Sequence, residues 1–484
     1  MSDRGATSPD AAPFAPVVRA RTVYSWAASI VVLNLILLFV GDEPRQITQY
    51  LLASTMLWLC ALPLLAFLLK PGFNLPFLPV VSALHFVVYG LPVFLSGRFE
   101  IRHVGVRDGA ITHALLLACA GWASMLIAFY GVPLGGRRLA KSIASRGLST
   151  HFSVVGMQNR LLVATFAFLA LRLGLLYFTP PEGLIQLFRL LGDLPLITTA
   201  GILLMYLRRQ CGAIHFVPAV FAVVVMALVD LGSGLIYTAA RDLVIFFFIY
   251  VAERRRTPWL ALVLGVALIA PFMATKADFR RLTWGRNNQL APLDKVELFI
   301  KLTSDAYVSG RSGLSDVQES ASSRFDSTSM FGYVVELTPQ RVPFWNGDTY
   351  EYALWSFVPR LLVPEKPKQG LGQEFGHRYG FLDDSDDETS VNLLQSVEMY
   401  ANFGDTGVVV GSLLLGFLYR VVVAFSSRSV SDDGTQLIAA HVFEGLLNIE
   451  ANLTLVFGGI VYTVLCNVVM LKLLHWGKPK AGTS

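Results

Sequence analysis

Between Arg324 and Gly407 the chain gathers residues suited to phosphate and proton chemistry. Arg324, Arg341, Arg360, Lys366 and Arg378 stand there, and Arg280, Arg281, Arg286 and Arg311 lead into them. Arginine meets phosphate oxygens through a planar, bidentate fork that lysine cannot reproduce. Any one of these cations is as readily an interfacial anchor or the partner of a carboxylate; their concentration is the signal. Proton acceptors share the stretch. Glu398 leads, with His377, Glu336 and Asp348 behind it. Such a group within reach of a sugar hydroxyl can take its proton as the oxygen attacks. Tyr400 could stack on a sugar ring or belong to an interfacial aromatic belt. Tyr379 and Asn402 are further substrate-binding candidates.

Arg241 stands apart, in GSGLIYTAARDLVIFFF with Asp230 and Asp242 close by. An ionisable group in an apolar span is expensive and points to function, although a shallow arginine can also snorkel. Arg172 lies in an apolar run too. Nothing near it in sequence suggests a role beyond a structural pair.

Membrane helices must position these residues. The chain has 484 residues, 54% hydrophobic and only 15% charged, with a mean hydropathy of +0.56. Soluble domains run nearer 25% charged, and repeated apolar runs of about 20 residues are membrane spans. Such runs fall at 23–41, 47–69, 76–95, 110–130, 161–178, 184–207, 214–229, 235–251 and 259–275, then at 406–425, 435–448 and 453–474. The eleventh is short and polar, with His441, Glu444 and Asn448. The expectation is an all-α polytopic membrane protein with about 12 transmembrane helices and a large extracytoplasmic loop between the ninth and tenth. Its parts are a flexible cytoplasmic N-terminus (1–22), helices one to nine (23–276), a substrate-binding loop region (277–405), helices ten to twelve (406–474) and a cytoplasmic tail (475–484).

Positive charge sets the orientation. Lys70, the Arg137–Arg160 cluster, Arg208, Arg209, Arg254–Arg256, Arg428, Lys478 and Lys480 all fall on one side if the N-terminus is inside. Arg98, Arg102 and Arg107 dissent. The polar loop therefore faces away from the cytoplasm. The net charge of +5 reports topology rather than nucleic-acid binding. No cleavable signal peptide is evident at the N-terminus. Cys60, Cys119, Cys211 and Cys466 are scattered through apolar runs and suggest neither a disulfide framework nor a metal site.

Outside the cytoplasm no nucleotide sugar is at hand, so a synthetic reaction there needs a lipid-linked pyrophosphate sugar. In SFVPRLLVPEKPKQG, Pro359 and Pro364 break any helix. Polar backbone of that kind at membrane depth needs cover from protein or water, which suits the floor of a substrate cavity. GLGQEFGHRYG lacks the GKS or GKT of a phosphate-binding loop, and its glycines suit tight turns near a bulky ligand. The run Asp383, Asp384, Asp386, Asp387, Glu388 could bind a divalent cation, but it lacks calcium-loop spacing and reads first as a solvated turn.

VPRLLVPEKPKQGLGQEFGHRYG followed by VEMYANFGDTGVVVGSLLLGFLYR resembles the bacterial O-antigen polymerases, or oligosaccharide repeat-unit polymerases. Pro359–Arg360, Lys366–Pro367 and the E-x-Y-x-N-F-G-x-x-G stretch (Glu398, Tyr400, Asn402, Phe403, Gly404, Gly407) carry the likeness. Arg241 matches the family's serine–arginine helix start, with alanine before the arginine. The likeness covers roughly residues 230 to 420. It implies a metal-independent, inverting, polyprenol-dependent glycosyltransferase without a cofactor, in the bacterial inner membrane with its site facing the periplasm. The substrate would be an undecaprenyl-pyrophosphate-linked oligosaccharide, with a flippase and a chain-length regulator as possible partners. Arg241 and Arg360 would hold the pyrophosphate, and Glu398 would be the base. A glycan ligase would need the same parts. A transporter would more often show two repeated halves, which are absent here.

Overall fold

The computed structural model describes residues 14–40, 46–69, 75–95, 100–101, 104–131, 156–181, 184–254, 256–284, 290–310, 326–355, 358, 363, 365, 370–386, 389–425 and 432–475. Arg324, Arg360 and Lys366 lie outside the described residues, as do Arg286, Arg311, most of the proline-broken segment, Asp387, Glu388 and the lysines at the C-terminus.

The protein is a multi-pass α-helical membrane protein. Among the described residues the only strands are Glu100–Ile101 and Val104–Gly105, an antiparallel pair. Nine described helices are long and apolar enough to cross a membrane: Ala20–Phe39, Ile47–Leu69, Phe77–Leu95, Asp108–Gly131, Leu187–Leu207, Ala213–Leu231, Trp259–Thr283, Gln395–Phe425 and Leu453–His475. Three other expected spans form helices that are too charged or too short for that group. They are Met157–Gly174, which carries Arg160 and Arg172, Ile236–Arg254, which carries Arg241, Asp242 and Glu253, and Asp433–Leu446, of only 14 residues. Of these charges, Arg172, Arg241 and Glu253 find ionic partners inside the fold.

Helix Asp108–Gly131 is the central post of one half. It packs most extensively on Gln395–Phe425 and also against Ile47–Leu69 and Ser327–Leu337. Small residues let the first pair approach closely. A Cβ on Gly416 would lie 2.3 Å from the Met125 carbonyl oxygen, so only glycine fits there. Between the halves Phe77 stacks on Phe443, with ring centroids 4.4 Å apart, and meets Tyr419 edge to face at 5.1 Å. In the other half, Met157–Gly174, Leu194–Leu207, Ala213–Leu231, Ile236–Arg254 and Asp433–Leu446 pack together. Thr165 donates to Thr198 across a buried contact at 2.7 Å.

The described residues of the polar region after the ninth span form several helices. Pro292–Val308 lies against Pro271–Thr283, where Phe279 and Phe299 stack at 4.2 Å. Ser327–Leu337 begins under an Asp326 cap that accepts the Ser329 N–H at 3.0 Å, satisfying one of the amides a helix start leaves open. Asp348–Trp355 and Gly372–Arg378 follow. The described residues of this region are thus largely short helices.

The tenth span differs from its expected form. Its helix starts at Gln395 rather than Thr406, and it is interrupted at Phe403 (φ −138°, ψ 17°) and Gly404 (φ 62°, ψ −149°). Gly404 occupies a region that only glycine adopts readily. Gly404→Ala should cost roughly 1–3 kcal/mol through backbone strain, and Gly416→Val a similar amount through overpacking. Gly459→Ala, with open space at the Cβ position, should be near neutral. Denaturant unfolding of the purified protein in detergent checks all three; equal stability of the three variants would refute the close-packed seam and the break.

Candidate functional site

At the helix interruption the polar region folds back onto the membrane domain. Trp345 N–H donates to the Ala401 carbonyl at 2.9 Å and Asn346 N–H to the Asn402 carbonyl at 3.3 Å. Asn402 completes the tie. Its side-chain oxygen accepts from Gly347 N–H at 2.9 Å, and its amide nitrogen donates to Thr349 Oγ1 and to the Glu398 carbonyl, each at 2.8 Å. A buried amide with its partners filled fixes a conformation. Beside this tie lies an open groove of about 450 Å³, lined by Phe344, Asn346, Asn402, Phe403, Thr406, Gly407 and Val410. Phe403 and Tyr350 stack at 6.1 Å next to it.

Glu398 does not stand free before a helix. It is fully buried, and Oε2 accepts the Leu453 N–H at 2.7 Å. It therefore caps the Leu453–His475 helix. Oε1 is buried without a hydrogen-bond partner among the described residues. Tyr400 is also buried; its hydroxyl donates to the Thr338 carbonyl at 3.3 Å and its ring packs near Phe331 and Phe344. Neither face is open for a sugar. Tyr379 shares a 2.8 Å hydrogen bond with Thr338 Oγ1 inside an aromatic cluster with Trp345, Phe375 and Phe381. Burial pushes both the Tyr379 and Tyr350 phenols up, keeping them protonated, with the Glu398 charge adding to the effect on Tyr350. Glu336 is engaged by Arg107, through Nε at 2.9 Å and the backbone N–H at 3.0 Å.

Two candidates remain accessible on one short helix. The His377 ring is half-buried with no hydrogen-bond partner among the described residues. Arg378 donates to the Pro343 carbonyl at 2.8 Å, one residue from groove-lining Phe344, and its guanidinium lies 5.1 Å from the Trp345 ring centre. Stacking of this kind fixes an arginine while leaving donors free. Arg341, in the segment that leads to Phe344, is exposed. Asp386 accepts the Thr389 N–H at 2.9 Å, closing a turn in the acidic run. Among the described residues no three His, Cys, Asp or Glu side chains converge as a metal site would require.

A second constellation lies within the membrane domain. Asp193, between helices Ile185–Gly192 and Leu194–Leu207, bridges two arginines through one oxygen. Arg241 Nη2 donates to Oδ1 at 2.6 Å and Arg172 Nη1 at 3.0 Å. Arg172 also reaches Asp230 Oδ1 at 2.5 Å. Arg241 Nε stands 3.8 Å from Glu444 Oε1, which accepts from the Tyr237 hydroxyl at 2.6 Å. His441, one helical turn before Glu444, pairs with Asn467 at 3.0 Å. Arg241, a phosphate-binding candidate from the sequence, is thus already flanked by two carboxylates. Sequence reasoning had Arg241 with Asp230 and Asp242 nearby but missed Asp193. An aspartate between two apolar helical segments was the available signal. It also missed His113, which pairs with Asp405 at 3.1 Å beside the helix interruption.

Residues 143–478 match the family described as "Domain of unknown function (DUF8712)", and the chain belongs to that family. No curated protein matches the chain, and no solved structure does.

The cap assigned to Glu398 has a direct consequence. Glu398→Ala leaves the Leu453 N–H unpaired in a buried site, which should cost about 1–3 kcal/mol. Glu398→Gln keeps an acceptor and should cost less than about 1 kcal/mol. Thermal unfolding of both variants checks this; an alanine variant as stable as the parent would remove the cap.

Proposed function

We propose that this DUF8712-family protein is a polyprenol-dependent glycosyltransferase that joins pyrophosphate-linked oligosaccharide repeat units on the outer face of the bacterial inner membrane. One observation supports the reading above others: the groove forms where the polar region closes on the E-x-Y-x-N-F-G-x-x-G segment that resembles the repeat-unit polymerases. In this reading the chain spans the membrane 12 times, with the three charge-bearing helices counted as spans. Its polar region faces the periplasm, because Arg208, Arg209, Arg254 and Arg256 mark the opposite side.

The roles follow from access. A hydroxyl of the incoming unit attacks the anomeric carbon with inversion; the bond to the pyrophosphate oxygen breaks, and the pyrophosphate leaves with the electron pair. Arg378, stacked and directed to the groove wall, neutralises that developing charge with Arg341. Arg324, Arg360 and Lys366 are further cations for the lipid pyrophosphate on the strength of the motif. His377, accessible and with an uncommitted ring, takes the hydroxyl proton in this reading, with the exposed Asp348 the other accessible acceptor candidate. Glu398, Tyr379, Tyr400 and Asn402 hold the groove's shape. Arg241, paired with Asp193 and flanked by Glu444, takes a structural role in this reading.

Purified protein in lipid vesicles, supplied with a defined lipid-linked repeat unit, tests the proposal. New glycosidic bonds and released polyprenyl pyrophosphate are expected. Arg378→Lys should fold and lose about 100-fold or more in turnover, and His377→Ala should lose about 100-fold or more. Repeat units that cross the membrane unjoined, or chains delivered only to a second acceptor, would contradict a polymerase.

A further inference from the structure

The ionic constellation has more acid than base. Two arginines, Arg172 and Arg241, pair with three carboxylates, Asp193, Asp230 and Glu444, and a fourth, Asp242, makes no ion pair with them but lies within reach of the charges of both arginines and of Asp193 and Asp230. The other titratable neighbours are Tyr237, which donates to Glu444, and His441, which pairs with Asn467. Arg280, from the Pro271–Thr283 helix, is directed to the Gly234 carbonyl at 3.0 Å and to the Trp284 ring at 4.2 Å. Even a positively charged His441 would leave one carboxylate in excess.

Asp242 is the odd member. It is 3% exposed, and Oδ1 is buried with no hydrogen-bond partner among the described residues. It lies on the buried stripe of its helix with Ala239, Ile245 and Ile249. Ala239 shares a hydrophobic cluster with Leu231, next to Asp230, so this stripe faces the acidic end of the Ala213–Leu231 helix. An uncompensated carboxylate in such surroundings costs several kcal/mol, on the order of the whole stability of a fold. A metal ion does not fit, because no three ligands converge among the described residues. A proton does fit: it neutralises the carboxylate in place and needs no coordination shell.

We propose that this cluster is a proton-binding site within the membrane domain, with Asp242 the group that carries the proton. The acid form removes one negative charge from the excess and lets Asp193 and Glu444 stay on Arg241. Loss of the proton puts another negative charge beside them, so occupancy of the site follows proton activity. This inference is independent of the glycosyltransferase reading and requires no substrate.

Infrared difference spectroscopy of the full-length protein in lipid nanodiscs, through a pH titration, tests it. Wild type minus Asp242→Asn should contain the C=O band of a protonated carboxyl at neutral pH. Asp242→Glu should keep that band and shift its position. A difference spectrum with carboxylate bands alone would overturn the site. Should Asp242→Asn fail to fold, wild type against Asp242→Glu decides, and an acid C=O band that does not shift would overturn it equally.

Discussion

A charge inside a bilayer must find a partner within the protein, and Asp193 is the partner on which this membrane domain depends. One carboxylate oxygen receives guanidinium groups from two helices, Met157–Gly174 and Ile236–Arg254. Arg172 extends the link to Asp230 on a third, and Arg241 approaches Glu444 on a fourth. At the other end of the same helices, Arg208 binds Glu253 at 2.8 Å and also Asp433. The two clusters lie ~18 Å apart, the rise of the 12 residues from Arg241 to Glu253. Helices pinned at both ends by ion pairs cannot slide or rotate without exposing a charge to lipid. That rigidity explains how three helices too charged or too short for independent insertion are held in the fold.

The other half of the molecule is positioned by contact rather than charge. The glycine seam between Asp108–Gly131 and Gln395–Phe425 brings two backbones together, and the interruption at Phe403–Gly404 re-aims the chain above it. Asn402 and Glu398 then spend their polar atoms on the polar region and on the last helix. The groove is what remains between these fixed pieces. Glu398, Tyr400 and Asn402 of the motif are therefore buried parts of its frame, whereas His377 and Arg378 on the neighbouring helix are partly exposed.

Much of this was legible in the sequence. Apolar runs located the helices because burial in lipid demands an unbroken length of apolar side chains. Arg241 was legible because charge in such a run is rare. Its partners were not: Asp193 is 48 residues away and Glu444 more than 200, and hydropathy carries no information on which helices touch. Arg172 looked isolated for the same reason. The segment Gln395–Asn402 reads as loop because Glu398 and Asn402 are polar. It is a helix because groups distant in sequence, at 347–349 and 453, satisfy those side chains.

The central claim is that Asp193 and Arg241 act as a unit that holds the helices in place. A double-mutant cycle measures this directly, using the unfolding free energies of Asp193→Asn, Arg241→Gln and the pair in detergent. Each single change should cost about 1.5–3 kcal/mol, because it removes a charge-assisted hydrogen bond from the interior. The double variant should then be more stable than the sum predicts by at least about 1 kcal/mol, within the range seen for contacting residues. Additive costs, within about 0.5 kcal/mol, would contradict the account.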